Sequence, residues 1–212
     1  MGFSRPAKRP RTDAGGLPDA SPEALHSTVY RETRIEVIAA DATTFPIASI
    51  VNAANTGLRG GGGIDGAIHN AAGPDLLAEL KRVYPFGCLV GEAHPTDAHN
   101  IQTTQHIIHA VGPDYRRQVY RGNEERAHQD LHDAYTNSMQ AAMDRGATSI
   151  AFPTISTGIF EFPPELASRI AMAAVRAFVD QQKHFRFERV VFLVWSPEGE
   201  SPDLKHYNAN FE

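Results

Sequence analysis

The chain has 212 residues, of which 42% are hydrophobic and 21% charged, a composition typical of one domain with a buried core. Its net charge of −5 argues against a general nucleic-acid binder, and its single cysteine, Cys88, excludes an intramolecular disulfide and a cysteine-built zinc site. No apolar run approaches the roughly 20 residues of a membrane helix, and the N-terminus lacks the apolar segment of a secretory signal. We therefore expect an intracellular protein without a membrane segment.

The first 26 residues are predicted to be a disordered tail, because they mix Pro, Gly, Ser and charge without any period. This tail contains a short basic cluster, Lys8, Arg9 and Arg11. Such a cluster is typical either of a nuclear import signal or of a solvated tail, so a nuclear and a cytoplasmic location both stay open. Residues 27–212 are predicted to form a single domain.

Strand and helix patterns alternate along this domain. β-branched runs predict strands at residues 34–40 and 48–51, and helical spacing of apolar residues predicts helices at 64–72 and 74–84. The remaining predicted elements are a strand at 106–111, a helix capped by Asn123 and stopped by Gly146, a strand at 149–152, a helix from Pro164 to about Gln182 and a strand at 190–195. Apolar strands separated by amphipathic helices predict an α/β fold, a three-layer α/β/α sandwich around a largely parallel sheet.

A glycine-rich stretch follows the second predicted strand and leads directly into a helix. Four successive glycines, residues 60–63, allow the backbone to approach a ligand closely with its N–H groups exposed. The unpaired N–H groups of the following helix point at the same place, which predicts an anion site suited to a diphosphate. The stretch is neither a Walker A loop, since no Gly-Lys-Ser/Thr follows, nor the usual dinucleotide fingerprint.

Two further strand ends carry polar residues. Residues 153–160 (PTISTGIF) follow the strand at 149–152 and offer hydroxyl and N–H donors to phosphate oxygens, although an ordinary loop would contain similar residues. Asp41 follows the first predicted strand, where a carboxylate can accept a hydrogen bond from an exocyclic amine such as adenine N6. Taken alone, Asp41 is better explained as a turn cap.

Taken together, four segments resemble the signature of the macro domain family. They are residues 52–55 (NAAN), 60–73 (GGGGIDGAIHNAAG), 108–113 (IHAVGP) and 155–160 (ISTGIF), and the GGGG-I-D-G form resembles the MacroD-type branch. The resemblance spans roughly residues 35–195 and implies a mixed, mostly parallel sheet of about six strands and ADP-ribose as the ligand. One departure is Ala42, since the family usually has Gly-Asp-Ile-Thr where this chain has residues 40–43 (ADAT).

The resemblance also implies roles for individual residues. Asp65 resembles the acidic residue beside the attacking water, and Asn55 the asparagine that binds the distal ribose, so these two are the predicted catalytic residues. Asp41 resembles the adenine-N6 acceptor, while Trp195 is either an adenine-stacking residue or part of the core. The predicted ligand-binding residues are Asp41, Ala42, Asn52, Gly61, Gly62, Gly63, Ile64, Ser156, Thr157, Gly158, Ile159, Phe160 and Trp195.

The implied function is hydrolysis of an ester at the distal ribose of ADP-ribose, on a mono-ADP-ribosylated Glu or Asp of a protein or on O-acetyl-ADP-ribose. Nothing in the chain forms a Ser-His-Asp set, so we expect direct attack by water, with Asp65 or a ligand phosphate as the base. One alternative is a reader that binds ADP-ribose without cleaving it. Another, an unrelated nucleotide- or RNA-binding domain, fits the phosphate loops but not the ordered motifs. We expect no cofactor, no metal and a monomer, and interpret the histidines, His69 and His109 included, as surface or core residues.

Overall fold

The computed structural model describes residues 22–194 and 202–209. The strands are β1 (His26–Tyr30), β2 (Thr33–Ala39), β3 (Ser49–Ala53), β4 (Ala93–Asp97), β5 (His106–Ala110), β6 (Ser149–Phe152) and β7 (Arg189–Val194). The helices are α1 (Gly63–Ala72), α2 (Pro74–Val83), α3 (Glu124–Asp144), α4 (Pro164–Gln181) and α5 (Pro202–Ala209), and a short 3-10 helix spans Gln118–Tyr120. Most of the predicted tail, its basic cluster and Trp195 lie outside the described residues.

The strands form one sheet in the order β1-β2-β7-β6-β3-β5-β4. The four inner pairings, from β2 to β5, are parallel, whereas β1 and β4 pair antiparallel with their neighbours at the two edges. The parallel strands are short and almost wholly buried, which is the pattern of a sheet covered by helices on both faces.

Two hydrophobic cores fill the space on either side of the sheet. One contains buried residues of α3 and α4 together with Tyr207 of α5, and the other contains buried residues of α1 and α2. The α/β/α sandwich with a mixed, mostly parallel sheet is therefore confirmed. No helix among the described residues is long and apolar enough to cross a membrane.

Besides the short 3-10 helix, three elements were not predicted, and each has a weak local signal. Strand β1 is half exposed at the sheet edge, and β4 contains Pro95, which an edge strand tolerates. These two strands raise the total to seven, where about six were expected. Tertiary contacts dock helix α5. Among them, Tyr207 is buried with its ring 5.0 Å from that of Phe192 and its hydroxyl 3.2 Å from that of Tyr135.

Candidate active site

A cleft of about 610 Å³ lies beyond the carboxyl ends of the inner strands, where ligands of open α/β sheets bind. The segments that follow β2, β3 and β6 form its walls. Of the residues predicted to act in the site, thirteen line this cleft: Asp41, Ala42, Asn55, Gly61, Gly62, Gly63, Ile64, Asp65, Ser156, Thr157, Gly158, Ile159 and Phe160. Tertiary structure therefore brings together segments separated by more than 100 residues.

The first wall is the glycine-rich loop between β3 and α1. Gly61, Gly62 and Gly63 are exposed, and Gly63 has a φ of +61°, a left-handed conformation that side-chain-bearing residues rarely adopt. Helix α1 begins here with Gly62 at its N-cap and without a side-chain cap, so its first N–H groups remain available to a ligand. An anionic group of a ligand is stabilised at this helix end.

The second wall is the loop after β6, which faces the first across the cleft. Ile159 is 61% exposed, and its Cδ1 lies 3.3 Å from where a Cβ on Gly62 would stand, so the two loops nearly touch. Ser156 adopts a φ of +67° although it is buried. A diphosphate held between the loops would meet backbone donors from both sides.

A carboxylate that sequence reasoning missed supports this second loop. The hydroxyls of Thr154 and Thr157 donate to Asp203 Oδ2, at 2.9 and 3.1 Å. Asp203 belongs to α5 and also lines the cleft. No local pattern marks it, because it is distant in sequence from the loop that it holds.

Asp65 is buried at the start of α1, and amide groups bind both of its oxygens. Asn52 Nδ2 donates to Oδ1 at 2.8 Å, and Asn55 Nδ2 donates to Oδ2 at 3.2 Å. Asn55 Nδ2 also reaches the carbonyl of Gly60 at 2.9 Å, which ties the amide to the glycine-rich loop. Asn52 is fully buried behind the cleft and acts on it through Asp65, although a direct ligand contact was predicted for it.

Burial raises the pKa of Asp65, while the hydrogen bond from Asn52 and the nearby His69 lower it. A carboxylate that is partly desolvated is a better proton acceptor than one in water. It nevertheless stays at a helix N-terminus, which favours its negative charge. The carboxylate is therefore suited to holding and deprotonating a water molecule.

Two histidines that the sequence analysis interpreted as surface or core residues lie in the same polar network. His69 Nε2 is 3.5 Å from Asp65 Oδ1, one helical turn along α1, a spacing that the sequence already contained. His109 is fully buried, with Nδ1 3.1 Å from Asn52 Nδ2 and Nε2 3.0 Å from Thr96 Oγ1. Because Asn52 Nδ2 is a donor, His109 accepts at Nδ1 and donates from Nε2 to Thr96.

His109 is expected to make the stability of the fold depend on pH. Burial and neighbouring histidines lower its pKa from 6.5 to about 3, so the folded state holds it neutral where the unfolded state binds a proton. Its stabilising contribution is complete above pH 6.5 and is lost as the pH falls from 6.5 towards 3. In urea denaturation, the free energy of unfolding of the wild type should therefore fall more steeply over this pH window than that of His109→Gln.

The exposed His184 provides the matched control, because His184→Gln leaves the buried network intact. It should keep the wild-type dependence of unfolding free energy on pH. Equal slopes for the wild type and His109→Gln would contradict the assignment of this dependence to His109.

Asp41 lines the cleft and lies two residues after the end of β2. Its Oδ1 accepts hydrogen bonds from the Thr43 N–H at 2.8 Å and the Thr43 hydroxyl at 2.7 Å. The turn-cap interpretation of Asp41 is therefore correct, and it is compatible with a ligand contact through the second oxygen. Adenine recognition by Asp41 stays a prediction.

Among the described residues, one group of three has its metal-ligating atoms close together. Cys88, Glu92 and His94 place theirs within 4.8 Å of one another, and none of the three lines the cleft. Glu92 Oε2 accepts from the Leu89 N–H at 2.9 Å, and the ring of His94 stacks on Tyr84. Burial and the nearby Glu92 raise the pKa of the Cys88 thiol to about 12, so this thiol is protonated at neutral pH in the metal-free protein.

Comparison with known proteins agrees with this geometry. Residues 51–171 match the model of the family described as Macro domain. The chain is 45% identical over 165 residues to an O-acetyl-ADP-ribose deacetylase of Klebsiella pneumoniae, covering 77% of this chain and 90% of the relative. It is 43% identical over 169 residues to a protein of the same name from Escherichia fergusonii, covering 79% and 91%. The chain belongs to the macro domain family, as its motifs predicted.

Solved structures show the same fold. The macrodomain of Oceanobacillus iheyensis with ADP superposes with a TM-score of 0.75 at 29% identity, over 87% of this chain and 93% of that one. The Trypanosoma brucei macrodomain in complex with ADP-ribose gives a TM-score of 0.71 at 30% identity, over 84% and 69%. The ligands named for these two structures, ADP and ADP-ribose, both contain adenosine diphosphate.

Proposed function

We propose that this protein binds ADP-ribose in the cleft and hydrolyses an ester at its distal ribose. The two facing loops suit the diphosphate, and we assign the adenine to the segment after β2, whose Asp41 and Ala42 line the cleft. Asn55 and Asp65 then flank the distal ribose. The names of the Klebsiella and Escherichia relatives and the ligand of the Trypanosoma structure support this assignment.

The observation that carries the proposal is a buried carboxylate next to a binding loop. Asp65 is 4% exposed, accepts two amide hydrogen bonds and lines a cleft whose neighbouring loop exposes backbone donors. A carboxylate next to a polyanionic ligand repels its phosphates, so Asp65 lowers affinity unless it also acts on a hydroxyl or a water molecule. The arrangement is useful when the carboxylate acts on a water molecule.

In the proposed reaction, Asp65 takes a proton from a water molecule as the water oxygen bonds to the acyl carbon. The acyl–oxygen bond to the ribose then breaks, the ribose oxygen receives the proton, and the acyl group leaves as a carboxylic acid that ionises. Asn52 and Asn55 keep the Asp65 carboxylate aimed at the water, and His69 adds a compensating dipole or charge. A phosphate of the ligand is the alternative base.

Two substrates contain this ester. O-acetyl-ADP-ribose is the small one, and a protein carrying mono-ADP-ribose on Glu or Asp is the large one. Asn55 lines the cleft and is partly exposed, and we propose on this ground that the protein-linked ester is also cleaved. In that case the carboxylate released belongs to the acceptor side chain.

The test is single-turnover release of ADP-ribose from O-acetyl-ADP-ribose and from a protein mono-ADP-ribosylated on glutamate, with ADP-ribose binding measured by calorimetry. We expect binding and turnover of both substrates. Tight binding without turnover of either would leave a reader, and absence of binding would show that the ligand is a different one. Turnover of the small ester alone would restrict the function to deacetylation.

A further inference from the structure

An apolar surface lies next to the ribose end of the cleft. Seven large hydrophobic side chains are exposed among the described residues, and three of them fall within seven consecutive positions: Val83 (41%), Phe86 (101%) and Leu89 (70%). We call these three residues the platform. The N–H of Gly87 bonds to the carbonyl of Tyr84, and this turn leaves Phe86 fully in solvent. Clustered exposed apolar residues are typical of interaction sites, whereas single ones are common everywhere.

The platform is joined to the segment that carries Asn55. The Cys88 N–H donates to the carbonyl of Thr56 at 2.9 Å, and Gly87 packs so closely on Thr56 that an added Cβ would stand 2.1 Å from that carbonyl oxygen. A third contact joins the two segments, because Arg59 Nη2 donates a hydrogen bond to the carbonyl of Pro85 at 3.3 Å. A group leaving the cleft beside Asn55 therefore meets the platform within a few residues.

The surroundings of the platform are cationic, although the whole chain has a net charge of −5. Lys81 and Arg82 occupy the last turn of α2, and Arg59 lies on the facing loop, all three exposed. None of the three forms an ion pair with another residue of the described ranges. Two acidic residues of the same region already have partners: Glu92 Oε2 accepts from the N–H of Leu89 at 2.9 Å, and Glu79 Oε2 lies 2.8 Å from His99 Nε2.

We infer that the platform binds the acceptor polypeptide of a mono-ADP-ribosylated protein, as an extended acidic segment with an apolar side chain near the modified residue. This inference rests on the proposed function and specifies its larger substrate. An ester on Glu or Asp leaves the cleft at the ribose end, so the flanking peptide lies over the platform, where its acidic residues meet Arg59, Lys81 and Arg82.

Other occupants fit less well. The N-terminal tail of this chain carries the basic cluster of Lys8, Arg9 and Arg11, which the cations around the platform repel. A second copy would need about 20–30 residues a side for a stable interface, far more than three apolar side chains provide.

The experiment compares one acidic peptide, ADP-ribosylated on a central glutamate and containing a leucine two residues away, with O-acetyl-ADP-ribose. For Phe86→Ser/Leu89→Ser we expect kcat/KM on the peptide to fall about tenfold through KM, since apolar anchors dominate such interfaces. Turnover of O-acetyl-ADP-ribose should stay within twofold of the wild type. Lys81→Glu/Arg82→Glu should lower kcat/KM on the peptide and not on O-acetyl-ADP-ribose. This loss should become smaller in high salt, which screens exposed charges.

Val29→Ser is the matched control, because Val29 is 70% exposed on β1 at the edge of the sheet. It should leave both substrates unaffected. Equal losses on the two substrates, or no loss on the peptide, would overturn the inference, as would a dimer that dissociates in Phe86→Ser/Leu89→Ser.

Binding measurements distinguish a wrong assignment of the platform from a wrong proposal of hydrolysis. If the wild type cleaves neither substrate, the proposed hydrolysis fails, and calorimetry on Asp65→Ala still compares the ADP-ribosyl peptide with free ADP-ribose. We expect the peptide to bind more tightly, and Phe86→Ser/Leu89→Ser in that background to remove the difference. Equal affinity for the two ligands in Asp65→Ala would overturn the inference.

Discussion

Replacing Asp65 with asparagine is expected to lower kcat on O-acetyl-ADP-ribose by about 100-fold or more, the range for loss of a general base. The affinity for ADP-ribose should change by only a few-fold, because the substitution keeps the size of the side chain. Asn52 can still donate to the remaining carbonyl oxygen, so the hydrogen bond of 2.8 Å has a counterpart in the variant. Single-turnover kinetics and calorimetry on the same preparations measure the two effects separately.

The pH profile tests the same role of Asp65 without any mutation. The base must be deprotonated, and burial raises its pKa above the ordinary value of 3.8. The rate should therefore fall as the pH drops through this raised pKa, at a higher pH than an exposed aspartate would give. This acidic limb should disappear in Asp65→Asn.

Asp75→Asn is the matched control, since Asp75 occupies the first turn of α2 as Asp65 does that of α1, but is exposed. It should retain wild-type turnover. Full turnover by Asp65→Asn would instead mean that a phosphate of the ligand is the base, and Asp65 would then serve only to orient groups.

Replacing Gly112 with alanine is expected to weaken ADP-ribose binding at least about tenfold, or about 1.4 kcal/mol. A Cβ at Gly112 would stand 2.2 Å from Ser156 Oγ and 2.5 Å from Ile155 Cγ2. Ser156 is already in a left-handed conformation, so the second loop has little freedom to yield without moving its N–H groups away from the ligand. The overpacked site should also cost about 1–3 kcal/mol of unfolding free energy.

Gly146→Ala separates loss of affinity from loss of stability. Gly146 has a φ of +73° with open space around it, so alanine there is strained by about 1–2 kcal/mol without a clash. Gly146 follows α3 and does not line the cleft. Calorimetry should find unchanged ADP-ribose affinity in this variant. Wild-type affinity in Gly112→Ala would show that the second loop adapts or does not bind the diphosphate.

The fold was predictable from the sequence where local signals were strong. The five predicted strands and four predicted helices all occur, and residues 149–152 were assigned to a strand with the observed bounds. Apolar runs and amphipathic spacing are patterns within a few consecutive residues, so they predict these strands and helices without knowledge of the tertiary structure. The edge strands β1 and β4 were missed because half-exposed strands need no continuous apolar pattern.

Most residues that line the cleft were also predictable from the sequence, since glycines and small polar residues at strand ends are local features, while their contacts with a ligand stay predictions. The sequence alone determined that a buried strand leads into a glycine-rich helix start, because this pattern is written in consecutive residues. Only the tertiary structure decided which side chains support that site. His109, Thr96 and Asp203 reach it from β5, β4 and α5, and contacts between residues distant along the chain leave no periodicity in the sequence.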